Sequence, residues 1–168
     1  MPLYFAYGSN MNTDAMRQRC PKSRPLGCAR LARHRFFIMS SGYASVKRDP
    51  RTDVHGLLYD LALSDLPALD RYEELGRGLY TKISQMVLRA DAAPVRALLY
   101  IGRDQSAGAA SSDYMAPLIS AARACRFSEA YIAHLETCAA GKPGANRETA
   151  GRRFSTARQT ILGAFPKT

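Results

Sequence analysis

A four-residue segment near the N-terminus could bind an anion through its backbone. Tyr7-Gly8-Ser9-Asn10, called the YGSN turn below, directly follows a short apolar and aromatic run. Glycine adopts backbone conformations that other residues avoid, and successive N–H groups can then form a concave nest for a carboxylate or a developing oxyanion. Gly, Ser and Asn are also the ordinary residues of turns, so the spacing alone favours a purely structural turn.

A second segment, Leu69–Glu74, carries carboxylates at the predicted end of a short helix. A partly buried carboxylate there could act as a general acid and base. The alternative is a solvated helix face on which Arg71 pairs with Glu74, which is the usual arrangement of such charges. Ser9 is a third candidate, as a nucleophile, but neither a G-x-S-x-G elbow nor a His–Asp pairing supports it.

The strands that would position these segments are short and numerous. Residues 3–7 predict a buried strand that ends at the YGSN turn. Asp49-Pro50-Arg51 predicts a turn between two later strands. The remaining predicted strands are residues 31–40, 43–46, 55–61, 80–89 and 95–101, of which the last two form a hairpin. About six strands with helices between and after them predict a mixed α+β domain.

Caps and apolar spacing predict four helices in the same region. They run from Asn12 or Thr13 to Cys20, from Ser64 to near Gly76, from Asp113 to Cys125, and from Ser128 to Cys138. A Gly- and Pro-rich basic segment follows, in which Phe154–Phe165 is expected to dock back as a final helix. The sequence therefore divides into a domain at residues 1–140 and a basic C-terminal tail at residues 141–168.

The charge is strongly positive and unevenly distributed. The chain has 24 Lys and Arg against 14 Asp and Glu, which gives a formal net charge of +10. From Arg17 to Arg51 there are ten basic residues and one acid, Asp49. A nucleic-acid face is one interpretation, but no helix-turn-helix, zinc finger or aromatic RNA-binding signature accompanies it. We therefore expect a solvated surface that aids solubility or attracts small anions, and no nucleic-acid partner.

The cysteines and histidines do not follow a metal-site pattern. The four cysteines include no C-x-x-C pair, and the three histidines form no H-E-x-x-H motif. We expect free, mostly packed thiols and no metal. No run approaches the ~18 apolar residues of a membrane helix, and the first residues lack the features of a signal sequence. These features predict a soluble cytoplasmic protein with no membrane partner.

Several segments resemble one known family. Tyr4-Phe5-Ala6-Tyr7-Gly8-Ser9-Asn10-Met11 matches the N-terminal signature of the γ-glutamylcyclotransferase family almost letter for letter. Further similar segments follow in order: Gly42–Val46, Val54-x-Gly56-x-Leu58-Tyr59, Leu69-Asp70-x-x-Glu73, Gly78-Leu79-Tyr80, Ser112-Asp113-Tyr114 with Leu118, and Tyr131 with Leu135. The resemblance covers residues 3–138 and leaves the basic tail unmatched.

This resemblance implies a small mixed β-barrel of about six strands with helices outside, and no cofactor or metal. It implies an intramolecular reaction that converts a γ-glutamyl amino acid, peptide or amine to 5-oxoproline and a free amine. Glu73 would be the acid/base, with Glu74 as the alternative if the match is displaced by one position. The implied substrate-binding residues are Tyr4, Phe5, Ala6, Tyr7, Gly8, Ser9, Asn10, Tyr80 and Tyr114.

The implied chemistry suits these residue types. The substrate supplies its own α-amine as nucleophile, so the protein must orient the γ-glutamyl chain and move a proton rather than provide Ser or Cys. The expected partner is a small γ-glutamyl compound, and the expected state is a monomer or homodimer. The alternative function is a non-catalytic binding module of the same fold that uses its basic face for an anionic partner.

Overall fold

The computed structural model describes residues 2–90 and 92–139, and in this part five strands close into a barrel. The elements in chain order are β1 (Leu3–Ala6), a 3₁₀ turn (Ser9–Met11), α1 (Thr13–Arg19), β2 (Arg24–Ile38), β3 (Ala44–Asp60), α2 (Leu66–Tyr72), a second 3₁₀ turn (Leu75–Arg77), β4 (Tyr80–Arg89), β5 (Val95–Gly102), α3 (Ser112–Ala124) and α4 (Glu129–Ala139). The α+β barrel is therefore confirmed. The basic tail and the expected helix at Phe154–Phe165 lie outside the described residues.

The short strand β1 closes the barrel. The strand order is β1-β3-β2-β4-β5, and β1 pairs antiparallel with β3 and parallel with β5. The parallel pairing places Tyr4 opposite Leu98. Tyr4, Phe5 and Ala6 are all buried, as expected for a strand with neighbours on both sides. This closure brings the start of the YGSN turn beside the end of β5.

The expected count of about six strands is wrong, because two predicted strands are parts of one. Residues 43–46 and 55–61 both belong to β3, which pairs with β2 from Ala44 to Asp60. β2 itself begins at Arg24, well before the predicted residue 31. The first half of β2 is largely exposed, so it lacks the apolar alternation by which a half-buried strand is recognised.

The predicted turn at Asp49-Pro50-Arg51 is also wrong, since these residues form an irregular part of β3. The register shifts between Ala32 and His34, where Arg33 has a φ of 58°. Extra residues in β3 are therefore accommodated by a bulge, where a proline need not donate to the ladder. The Asp49 carboxylate accepts the N–H of Arg51 at 3.1 Å and thereby satisfies the irregular backbone.

The helix that precedes Glu73 starts and ends differently from the prediction. Its N-cap is Asp65 rather than Ser64, and the Asp65 carboxylate accepts hydrogen bonds from the Lys22 N–H and the Ser23 hydroxyl instead of capping. α2 ends at Tyr72, before the expected Gly76. Glu73 is consequently the C-cap residue, where the chain leaves the helix.

The other helices begin at hydroxyl or amide caps. Asn12, one of the two expected caps, accepts the N–H groups of Asp14 and Ala15 at 3.0 Å. The α3 cap is Ser111 rather than Asp113, which lies in the first turn, where its carboxylate suits the positive end of the helix dipole. The Ser128 hydroxyl accepts the N–H of Tyr131 at 3.3 Å, as predicted for α4.

The described residues also bear on the membrane, metal and thiol predictions. None of the helices described is long and apolar enough to cross a membrane. Within the same residues, no group of three or more His, Cys, Asp or Glu side chains is arranged to hold a metal ion. Cys20 is buried, as expected for a packed thiol. Cys28 is exposed instead, because it lies in the exposed first half of β2.

Candidate active site

The YGSN turn and the end of α2 meet at one cavity. Its empty space, including open solvent at its mouth, is about 350 Å³. The described residues that line it are Tyr4, Tyr7, Gly8, Ser9, Asn10, Ala44, Glu73, Tyr80, Tyr100 and Tyr114. Among these residues the cavity combines phenols and backbone amides with one carboxylate, that of Glu73.

Two of the implied substrate-binding residues, Phe5 and Ala6, are not among the residues that line this cavity. Phe5 is fully buried, and a Cβ atom placed on Gly56 would lie within 3 Å of its ring. The same Cβ would lie 2.3 Å from the carbonyl oxygen of Ala6, so the absence of a side chain at position 56 allows β1 and β3 to approach. Phe5 and Ala6 thus contribute to barrel packing, whereas the other implied site residues surround the cavity.

Glu73 and Glu74 have different surroundings although they are adjacent in the chain. Glu73 is 8% exposed, and its Oε1 accepts a hydrogen bond from Asn10 Nδ2 at 2.9 Å. Glu74 has a left-handed backbone with φ of 51°, and its side chain is 27% exposed. Its carboxylate lies 3.7 Å from Arg77. Of the two carboxylates, only that of Glu73 lines the cavity.

Asn10 connects Glu73 to the rest of the site. It is 2% exposed, and its Nδ2 donates to the hydroxyl of Tyr4 as well as to Glu73, both at 2.9 Å. Its Oδ1 accepts a hydrogen bond from the guanidinium of Arg19. Its backbone oxygen accepts the Tyr59 hydroxyl at 3.0 Å. Asn10 therefore holds α1, β1 and the end of α2 together.

The backbone of the YGSN turn leaves amide donors at the cavity. The Met11 and Asn12 N–H groups donate to the Gly8 and Ser9 carbonyls at 3.0 and 3.2 Å, which closes the 3₁₀ turn. The preceding amides are at its open start, where a helical turn has no internal acceptor. Within residues 2–90 and 92–139, the N–H groups of Gly8, Ser9 and Asn10 have no acceptor. These amides could hold an anionic oxygen atom.

Tyrosines from β4, from α3 and from the start of the YGSN turn form further parts of the wall. The Tyr80 hydroxyl donates to the Ala44 carbonyl at 2.8 Å, and the Tyr114 hydroxyl accepts the Ala44 N–H at 3.1 Å. The Tyr7 hydroxyl donates to the carbonyl of Tyr100. Burial, with a smaller contribution from the charge of Glu73, raises the pKa of Tyr7 well above its usual value. Its phenol therefore stays neutral at physiological pH.

Sequence reasoning identified neither Tyr100 nor Lys82, although Asp70 belongs to the candidate segment Leu69–Glu74. The Tyr100 hydroxyl donates to Asp70 at 2.6 Å, and Lys82 Nζ lies 2.9 Å from both oxygens of the same carboxylate. Asp70 stands three residues before Glu73, a spacing that places both near one helix face. The position of Tyr100, by contrast, depends on the pairing of β1 with β5, which no local pattern indicates.

Comparisons with known proteins agree with this architecture. A model of the AIG2-like family matches residues 53–135. Human gamma-glutamylcyclotransferase is 26% identical over 122 residues, which cover 67% of this chain and 65% of the human protein. The Bos taurus gamma-glutamylcyclotransferase is 30% identical over 95 residues, or 51% of this chain and 50% of the bovine protein. The chain thus aligns with less than two thirds of the length of each of these relatives.

A solved structure shows the same fold. A gamma-glutamyl cyclotransferase superposes with a TM-score of 0.79 at 21% identity, over 94% of this chain and 98% of the other. At this identity the likeness concerns the fold alone. The barrel, the family-model match and the two mammalian relatives agree with one another: the chain is similar to the γ-glutamylcyclotransferase family.

Proposed function

We propose that this protein is a cyclotransferase that converts γ-glutamyl amino acids, peptides or amines to 5-oxoproline and a free amine. The observation that carries the proposal is the buried Glu73 carboxylate in a cavity that also presents the amides of Gly8, Ser9 and Asn10. The names of the mammalian relatives support the same activity.

Glu73 acts first as a base and then as an acid in the proposed reaction. Its carboxylate takes a proton from the α-ammonium group of the substrate, and the freed amine attacks the γ-carbonyl carbon. A carbon–nitrogen bond forms to close the five-membered ring, and the bond to the leaving amine breaks. Glu73 returns its proton to that amine. The ring nitrogen then loses its second proton, which also ends on the leaving amine, so the amine departs as an ammonium ion and the carboxylate is regenerated with no other co-reactant.

The remaining cavity groups orient the substrate and stabilise charge. The amides of the YGSN turn are preorganised donors for the oxyanion that develops on the γ-carbonyl. The walls formed by Tyr80 and Tyr114 favour the folded γ-glutamyl chain that brings the amine to the carbonyl. Ser9 is not the nucleophile in this proposal, because its hydroxyl is hydrogen-bonded to the Tyr72 hydroxyl at 2.9 Å and no histidine lines the cavity.

The test is an assay of both products on a panel of γ-glutamyl compounds. The panel contains γ-glutamyl amino acids, glutathione and γ-glutamyl alkylamines, and the assay measures 5-oxoproline and released amine. Two matched controls are an α-glutamyl dipeptide, whose α-amine cannot close the five-membered ring onto its amide, and an N-acetyl-γ-glutamyl compound, whose amine is blocked. We expect equal amounts of the two products from at least one panel member and none from the controls. No 5-oxoproline from any member overturns the proposal.

A further inference from the structure

The side chain of Asn10 uses all of its hydrogen-bonding groups inside the protein. Oδ1 accepts from Arg19, and Nδ2 donates both to Tyr4 and to Glu73. A carboxamide has one oxygen and one NH₂ group, and exchanging the two by a flip would reverse every one of these bonds. The orientation of this one side chain therefore sets the direction of the hydrogen bonds around Glu73.

Two neighbours select the observed orientation. The guanidinium of Arg19 only donates, so it requires Oδ1, and the ionised carboxylate of Glu73 only accepts, so it requires Nδ2. The second requirement is lost whenever Glu73 carries a proton, because a carboxylic acid can also donate. A guanidinium group, by contrast, has no acceptor and only donates. Arg19 is thus the neighbour that holds Asn10 in place while Glu73 changes its protonation state.

Arg19 is itself held in an unusual way for a surface cation. Its guanidinium carbon lies 3.3 Å from the centre of the Tyr72 ring, and the Tyr72 hydroxyl is hydrogen-bonded to Ser9. Among the described residues it forms no ion pair with a carboxylate. Arg17, two residues earlier in α1, is instead 76% exposed and lies 3.6 Å from Asp14. The two arginines of one helix thus differ in burial and in partner.

The orientation of Asn10 has a consequence for Tyr4. Because Nδ2 can only donate, the Tyr4 oxygen accepts, and its own hydroxyl proton must find another acceptor. No described residue provides one. Tyr4 is 3% exposed and lines the cavity, and burial together with the charge of Glu73 raises its pKa well above the usual value. Tyr4 therefore keeps a buried proton, and leaving such a donor unpaired costs free energy.

We propose that Arg19 is a positioning residue: it fixes the Asn10 carboxamide through the catalytic cycle and so directs the Tyr4 O–H toward an oxygen atom of the bound substrate. The identity of that substrate rests on the function proposed above. The positioning itself is a property of the protein without ligand. Tyr4 contacts the substrate, and Arg19 acts only through Asn10.

The kinetic test compares Arg19→Met with Arg19→Lys and with the control Arg17→Met. Arg19→Met should lower kcat by ~10–100-fold with KM within about twofold of wild type, since misplaced catalytic groups cost rate rather than affinity. Arg19→Lys should recover part of kcat because an ammonium group still donates to Oδ1. Arg17→Met should match wild type. Equal kcat in Arg19→Met and Arg17→Met, or a change in KM alone, overturns the proposal.

A double-mutant cycle tests whether the effect passes through Tyr4. In a Tyr4→Phe background, which lacks the hydroxyl proton, the further substitution Arg19→Met should cost less than about threefold in kcat, because residues that act on one another are not additive. If the two losses multiply instead, Arg19 does not act on Tyr4, and the proposal is wrong.

A ligand-free measurement separates this proposal from the proposed function. The NMR signals of the Asn10 NH₂ group, assigned by their loss in Asn10→Asp, report its hydrogen exchange. Slow exchange should persist in Glu73→Gln and be lost in the Arg19→Met/Glu73→Gln double variant, whatever the protein turns over. Equal exchange in both variants overturns the positioning role. Absence of turnover by the wild-type protein would overturn only the function, and the exchange result would then decide the positioning role alone.

Discussion

The cavity and a basic ribbon on the barrel differ in how their charged groups are exposed to solvent. The ribbon comprises residues 30–35 of β2 and 47–53 of β3. In the cavity, Glu73 and Asn10 are buried and joined by one short hydrogen bond. In the ribbon, the Asp49 carboxylate lies 3.9 Å from Arg35 and 3.3 Å from Arg51. Asp49 is itself 9% exposed, but both arginines are exposed to solvent.

The contrast lies in solvent exposure: the cavity carboxylate of Glu73 is buried, whereas the arginines of the ribbon are exposed. Exposed ion pairs contribute little to stability, about 0–1 kcal/mol each, because water screens them. A buried polar group is costly unless it is paired. The uneven charge of the sequence therefore lies partly in the ribbon, whereas the proposed chemistry lies in the cavity, among whose described lining residues there is no Lys or Arg.

The largest expected effect is the loss of turnover on removing the buried carboxylate. Glu73→Gln keeps the size of the side chain but can neither take up nor return a proton. It should lower kcat by ~10²–10⁴-fold while substrate still binds. Steady-state kinetics on a substrate identified in the panel measures kcat, and calorimetry with 5-oxoproline measures binding. Wild-type turnover by Glu73→Gln would remove the distinction between the cavity carboxylate and an ordinary surface charge.

The second prediction concerns the amides of the YGSN turn. Addition of 5-oxoproline should shift the backbone ¹⁵N–¹H signals of Gly8, Ser9 and Asn10, because these N–H groups are the unoccupied donors at the cavity. Signals from the basic ribbon should not move. The matched control ligand is 2-pyrrolidinone, the same ring without a carboxylate, which should cause smaller shifts. If neither ligand moves these three amides, the turn is structural and the site lies elsewhere.

The sequence predicted the local parts of the site better than the long-range parts. The YGSN turn and the Glu73 segment each lie within a few consecutive residues, and their residue types already restrict what they can do. Tyr100 reaches the cavity only because β5 pairs with β1, a contact between residues far apart in the chain. Asp65 resembled part of a helix start, but its carboxylate binds the Lys22 and Ser23 segment, so a tertiary contact replaced the local one.

Long-range contacts also limit how well the strands can be predicted from the sequence. The residue types at Asp49-Pro50-Arg51 favour a turn, and locally the Asp49 side chain does bond to the backbone two residues later. The ladder with β2 resumes beyond the bulge, so the strand continues. Whether such a segment ends a strand depends on the partner strand, which the segment itself does not encode.

A smaller effect is expected from the basic ribbon. Its arginines should give the protein only weak, salt-sensitive affinity for nucleic acid, of the order of 10⁻⁴–10⁻⁶ M at physiological salt. Filter binding with a mixed-sequence duplex and a single strand measures this affinity. Arg48→Gln should leave kcat unchanged, since this residue lies in the ribbon and not in the lining of the cavity. Sub-micromolar binding at physiological salt would instead make the ribbon a functional surface.

The smallest effect is expected at Glu74. Because Glu74 is adjacent to Glu73 in the chain, it is the closest matched control for the buried carboxylate. α2 ends at Tyr72, and Glu74 then adopts a left-handed conformation before the second 3₁₀ turn. The change of direction aims its side chain away from the cavity. Outside the cavity, the Glu74 carboxylate pairs with Arg77 at 3.7 Å in a partly exposed position.

Glu74→Gln should therefore change kcat by less than about twofold, and a surface pair of this kind contributes about 0–1 kcal/mol to stability. Kinetics and thermal unfolding of Glu73→Gln and Glu74→Gln, measured side by side, check both statements. A large loss in Glu74→Gln with a small one in Glu73→Gln would keep the reaction class and move the acid/base by one residue, because only one of the two carboxylates can reach the same substrate nitrogen.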